Sequence, residues 1–229
     1  MYLSTLNIHS PDAGGGKRVV KGFSLMGSLL SIVLCAAGVT LVGAEIQSPR
    51  VRNLVAESIK KEPFGWSEKN PLLNGDVPEA LAYITKHADY TSYHLLTALR
   101  KFYPAFYRSV PNEEKSAILC SALRTSTALN DWGQFTPSTS VDGQSAKALL
   151  ETGKVALKYL APILDDGSPA ILFGSEEATM SVIYAYRRKD FAYRYASLIL
   201  GNVPVFRADP KDRDKDIDGL KAELRKHAR

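Results

Sequence analysis

Five carboxylates in the second half of the chain could supply an acid–base pair: Asp131, Asp142, Glu151, Asp165 and Asp166. Cleaving a glycosidic bond takes two carboxyls about 5–10 Å apart, one to protonate the leaving oxygen and one to attack or to activate water. Asp131 and Glu151 form the best candidate pair, because they flank the aromatic part of ALNDWGQFTPSTSVDGQSAK, residues 128–147. This is the least helical stretch of the chain, and it sets Trp132 and Phe135 among Gly, Pro, Ser and Thr. Loops of about 15 residues are uncommon in compact domains and often functional. Two roles for these aromatics are open: a surface that stacks on a ligand, or a plug that pins the loop to the core.

The second stretch with chemical potential is YAYRRKDFAYRY, residues 184–195. Helical spacing sorts it into one stripe of Tyr184, Arg188, Phe191 and Tyr195 and another of Tyr186, Lys189 and Tyr193. Aromatics interleaved with Arg can stack on bases or sugars. On a packed helix the same residues bury their rings and leave hydroxyls and guanidinium groups at the rim. The candidate binding residues are therefore Asp131, Trp132, Phe135, Tyr186, Arg187, Arg188 and Tyr193.

Other chemistries find little support. His87 and His94 are seven apart, whereas helical metal ligands usually stand three or four apart, and Asp89 is placed to break a helix between them. His227 sits near the end of the last helix, where a cation suits the dipole. LFGSEEAT looks like an anion-binding helix start, but Glu176 and Glu177 would repel an anion and serve as ordinary first-turn acids. There is no G-x-S-x-G, no Gly-rich phosphate loop and no CxxC. Cys120, in SAILCSAL, reads as a buried small hydrophobe on an apolar stripe. No catalytic residue, metal ligand or cofactor is assigned.

The N-terminus carries the clearest address. KRVVKG is followed by FSLMGSLLSIVLCAAGVTLVGA, residues 23–44, without a single charge. Val42 and Ala44 stand at the small-residue positions before a cleavage bond, which makes residues 1–44 a signal peptide. The same run is long enough to remain as an N-terminal membrane anchor. Positive residues before it hold the N-terminus in the cytoplasm in either case, so the rest of the chain is expected to be exported, periplasmic or held at the inner membrane. Cys35 follows IVL, and Leu34 is too large to precede a lipidated cysteine.

Of the formal net charge of +5, the leader supplies +2, through Lys17, Arg18 and Lys21 against Asp12. The remaining +3 is diffuse, which argues against nucleic acid, since that partner calls for a basic patch or stripe. Hydrophobics at 45% and charged residues at 23% belong to a globular chain. With Cys35 in the leader no internal disulfide can form, so the exported part must rely on its core.

Residues 45–75, broken by Pro49, Pro63 and Pro71, read as a linker with a turn or two of helix around 51–60. Residues 76–229 then show helical periodicity throughout. Leu95, Leu96, Leu99, Phe102 and Tyr103 mark one face, and Ile118, Leu119, Ala122 and Leu123 another. After a helix opening near Pro78 and these two, a fourth is expected from Ser145 through Leu164, and a fifth of about 25 residues from Ser175 to Gly201 unless Asp190 restarts it. The last, after Asp209-Pro210, shows only Ile217, Leu220 and Leu224 as a narrow stripe. No strict alternation or hairpin signal occurs. The expected fold is all-α, an irregular array of five to seven helices. ETGKVALKYLAPILDDGSPA resembles the second helix of a HEAT-type repeat, but helix starts near 78, 92, 112, 145, 176 and 211 keep no steady period.

These readings point to an exported helical binding or scaffold protein that works without catalysis. Its partner would be a protein or another cell-envelope component, with membrane contact through residues 23–44 if they are retained. The alternative is a small cell-envelope hydrolase using carboxylates near the 130–144 loop. The two differ in whether Asp131 and Glu151 face one cleft.

Overall fold

A computed structural model describes residues 46, 48–61, 69–133 and 141–227. Among these residues the regular structure is helical, with one isolated antiparallel bridge between Pro169 and Arg187. There are ten α-helices among them, more than the five to seven expected, because local chemistry cuts several periodic stretches short.

Asp89 is the first such cut. Its carboxylate accepts the Ser92 N–H at 2.8 Å and starts α3 (Tyr90–Phe102), separate from α2 (Val77–Ile84). His87 therefore lies between two helices, stacked on Tyr83, and shares no helix with His94. Pro104 ends α3 and occupies the first turn of α4 (Pro104–Ser109), where its missing donor does no harm. Pro111 precedes α5 (Asn112–Thr125).

The helix expected from Ser145 departs most from expectation. α6 spans only Gln144–Glu151, because Gly153 takes φ +68° and turns the chain out of the helix. A 3-10 turn follows, then the single α-turn α7 (Leu157–Leu160) and a second 3-10 segment, Ala161–Asp165, that holds Pro162. The stretch likened to a HEAT repeat is thus three short pieces, not one helix. The helix expected from Ser175 to Gly201 is also divided, into α8 (Ser175–Ile183) and α9 (Arg188–Ile199). Asp190 does restart it, accepting the Arg187 N–H at 2.8 Å, and Ala185 makes the corner with φ +46°. α10 spans Pro210–His227.

The core is built where the apolar stripes meet. Leu95, Leu96 and Leu99 of α3 pack with Ile118, Leu119, Ala122 and Leu123 of α5, all buried. Phe191, Tyr195 and Ala196 of α9 close over Leu160, Ile163 and Leu164. α10 contributes Ile217 and Leu220, with Leu224 partly buried. Cys120 is buried, and burial pushes its thiol up to about 12, which keeps it protonated and inert at neutral pH.

The stretch expected as a linker carries α1 (Pro49–Lys61), whose Val51 and Val55 are buried one helical turn apart against α3. Leu72 is buried as well, and its carbonyl accepts the Tyr103 hydroxyl at 3.0 Å. The folded body therefore reaches back beyond residue 76. Two buried valines in a polar helix are too weak a pattern to separate from a solvated segment. No helix among the described residues is long and apolar enough to cross a membrane; the 23–44 run lies outside them.

His94 gives the fold an acid sensitivity. It is buried against the ring of Tyr90, and its Nε2 has no hydrogen-bond partner among the described residues. Burial pushes the imidazole down to about 4, from an ordinary 6.5. Between those values the unfolded chain binds the proton and the folded chain does not, so stability falls as pH drops from about 6.5 towards 4. The expected loss is about 3 kcal/mol across that window. Denaturant midpoints measured from pH 7.5 to 4 should show this slope in the wild type and lose most of it in His94→Phe.

Candidate functional site

The 128–147 stretch is held at its two ends, and the anchors explain most of its unusual residues. Trp132 is 1% exposed and belongs to the core, its ring 5.8 Å from that of Tyr195, which donates its hydroxyl to the Trp132 carbonyl. Leu129 N–H bonds the Ile171 carbonyl at 2.8 Å, and the Asn130 side chain pairs both the N–H and the carbonyl of Phe173. Phe135 lies outside the described residues.

Asp131 is the joint between the two ends. Its carboxylate accepts the Tyr93 hydroxyl at 3.2 Å, the Ser145 hydroxyl, and the backbone N–H groups of Gln144 and Ser145. The Tyr93 and Ser145 hydroxyl oxygens stand 2.7 Å apart beside it. Asp131 thus caps α6 from outside the helix, since the residue at the cap position, Gly143, offers no side chain. Burial raises its carboxyl above the ordinary value, and the four donors pull it back towards the charged form.

Gly143 makes this joint possible. A Cβ there would lie 2.5 Å from the backbone of Trp132 and Gly133, and closer still to the Asp131 carbonyl. Its φ of −63° suits any residue, so the requirement is for space alone. Gly143→Ala is expected to cost about 1–3 kcal/mol by forcing the two backbones apart. Gly167→Ala, where an added Cβ meets nothing within 4 Å, should be nearly neutral. Chemical denaturation of the two variants side by side tests the difference.

Beside Asp131 opens a cleft of about 500 Å³, lined by Thr97, Arg100, Gln144, Ser145 and Ala148 among others. Glu151 does not line it. Arg100 spans α3 and α6, donating to the Gln144 carbonyl at 2.9 Å and to the Glu151 carboxylate at 2.7 Å. Of the two carboxylates considered for hydrolysis, Asp131 caps a helix and lines the cleft, and Glu151 is tied to Arg100 at a half-exposed position. The residues that meet Asp131 here were not singled out from sequence. Tyr93, Thr97 and Arg100 stand at spacings of four and three on α3, a polar row beside the leucine stripe, and that periodicity was the available signal.

The residues of the basic stretch turn inward. Tyr186 is buried, stacked on Tyr184 and edge-on to Phe191, and Tyr193 is buried too. Arg188 donates to the carbonyls of Leu123 and Ser126 at 2.6 and 2.8 Å, satisfying the open end of α5. Arg187 pairs with Asp190 and Asp214, each at 2.9 Å. Asp190 also faces Arg213 at 3.2 Å, and both are fully buried. Arg213 in turn donates to the carbonyls of Tyr184, Ala185, Arg207 and Ala208, tying the end of α8 to the start of α10. These cations hold helix ends together.

The uncovered surface lies elsewhere. No residue of α8 is buried, and Val182 and Ile183 are 80% and 66% exposed. Alongside runs the extended segment 169–173, which buries Ala170 and Leu172 and exposes Ile171 and Phe173, each at 51%. Ile171 and Val182 share an apolar groove of about 430 Å³. At the C-terminal end of α8, Tyr184 meets Phe206 edge-on, and Val203 and Val205 nearby in sequence are exposed. Comparison of the chain with protein-family models, curated proteins and solved structures finds no match.

Proposed function

We propose that the chain is an exported helical binding or scaffold protein of the cell envelope, acting through the surface around α8. The observation that carries this reading is the exposed apolar surface of Ile171, Val182 and Ile183, while Asp131, Arg187 and Arg188 are engaged within the fold. Contiguous exposed apolar surface rimmed by polar residues marks sites of protein contact. The uncharged run 23–44 supports export, and if retained it would keep the domain beside the membrane.

The test pairs location with contact. A reporter active only in oxidising compartments, fused after Arg229, should be active. In-cell cross-linking of the full chain should capture a complex that disappears when Val182 and Ile183 are both changed to Asp. Such exposed substitutions leave stability within about 0.5 kcal/mol, so loss of the complex would reflect the surface itself. Equal complexes from wild type and variant would move the contact elsewhere.

A further inference from the structure

We propose that the surface around α8 binds a second copy of this chain, through a two-fold interface in which two α8 helices cross antiparallel. This rests on the reading of that surface as a site of protein contact, and it names the partner.

The argument comes from how charge is distributed around the apolar centre. α8 is nine residues, roughly 13 Å long. At its N-terminal end stands Glu176, exposed and without an ion-pair partner among the described residues. Its neighbour Glu177 is turned away, its carboxylate lying over Gly174 and lining the cleft beside Asn130. At the C-terminal end the groove is closed by Pro210, and beside it stands Lys211, exposed and equally without an ion-pair partner among the described residues. The other charges near this end are engaged. Arg187 and Lys189 share Asp214, Arg207 holds Asp216, and Asp209 accepts the Lys211 backbone N–H.

Among the described residues the surface therefore has an acid without an ion-pair partner at one end, a base without one at the other, and Ile171, Val182 and Ile183 between them. An isologous interface needs a self-complementary patch, because each residue of one copy meets the two-fold related surface of the other. Antiparallel crossing near Val182 places Glu176 of each copy towards Lys211 of its partner and stacks the two apolar centres. A parallel crossing would set like charges against each other. A membrane surface fits less well, since the acidic end of α8 would face anionic headgroups.

A photo-cross-linking amino acid placed at position 182 of the full chain, activated in cells, gives three distinguishable results. An adduct of twice the monomer's mass that contains only this chain is the expected outcome. Adducts solely to other proteins would overturn the second-copy proposal while leaving the contact surface intact. No adduct at all would overturn both.

Charge reversal supplies the independent arm, with the dimer's dissociation constant read by analytical ultracentrifugation of the detergent-solubilised full chain. Glu176→Lys and Lys211→Glu are each expected to weaken self-association about tenfold, by turning an attraction into a repulsion at both ends. The double variant Glu176→Lys/Lys211→Glu should return to within about twofold of wild type. Both positions are exposed, so unfolding does not confuse the result. Additive losses without recovery would rule out the antiparallel pairing.

Discussion

Trp132→Ala is expected to destabilise the protein by about 3–5 kcal/mol, a large share of the 5–15 kcal/mol that holds a typical domain together. The indole is 1% exposed and packs against Tyr195 inside the core, so removing it leaves a cavity that the surrounding helices cannot fully close. The loss is compounded by position. Trp132 lies between Asp131, which caps α6, and Gly133, whose backbone abuts Gly143. A shift of this turn loosens both ends of the 128–147 stretch at once. Trp132→Phe retains an aromatic ring in the same place and should lose less than half as much. Denaturant titration decides the matter, with m-values compared to confirm a common two-state transition. A wild-type-like midpoint for Trp132→Ala would show that the ring is not a structural plug, and would return the loop to consideration as a ligand site.

Asp190→Ala is expected to cost a similar 3–5 kcal/mol, for an electrostatic reason. Asp190 is completely buried, and its two oxygens receive the Arg187 N–H and guanidinium and face the guanidinium of Arg213. Arg213 is itself 1% exposed, and its other contacts include four carbonyl oxygens and the face of the Tyr186 ring, none of them a counter-charge. Taking away the carboxylate leaves a cation desolvated without a counter-charge, and it also removes the cap that starts α9. Asp190→Asn keeps an acceptor for the Arg187 N–H while deleting the charge, so it should fall between wild type and alanine. The comparison separates capping from charge pairing. A loss below about 1 kcal/mol in Asp190→Ala would mean that water reaches Arg213 when the carboxylate is gone.

Much of the helical framework was legible because periodicity reports burial on one face. Leu95, Leu96 and Leu99, the Ile118–Leu123 stripe, and Ile217 with Leu220 are buried as their spacing implied. The breaks were harder. Pro104 announces itself, since it removes a donor wherever it stands. Gly153 gives no such notice, because glycine is tolerated in a helix and only the packing around it selects φ +68°. Asp190 was visible as a possible restart, yet the length of α9 depended on its meeting Arg187 and Arg213 in the folded chain.

The candidate site divides along the same line. Residue type and spacing identified Asp131, Trp132, Tyr186, Arg187, Arg188 and Tyr193 as unusual, since each puts a large or charged group where a plain helical stripe would not. Direction is a property of the assembled fold. Tertiary packing turned Arg188 onto the end of α5 and Arg213 onto that of α8, sent Asp131 to the N-terminus of a helix 13 residues further on, and left α8 without a buried residue. The sequence alone determined an all-helical chain, where its apolar stripes lie, and which residues are out of place in them. Local order along the chain decides these, because helix periodicity and capping act over a few residues. Which charges are neutralised inside and which apolar side chains remain outside was decided only by the tertiary structure, because those outcomes depend on partners that lie dozens of residues away.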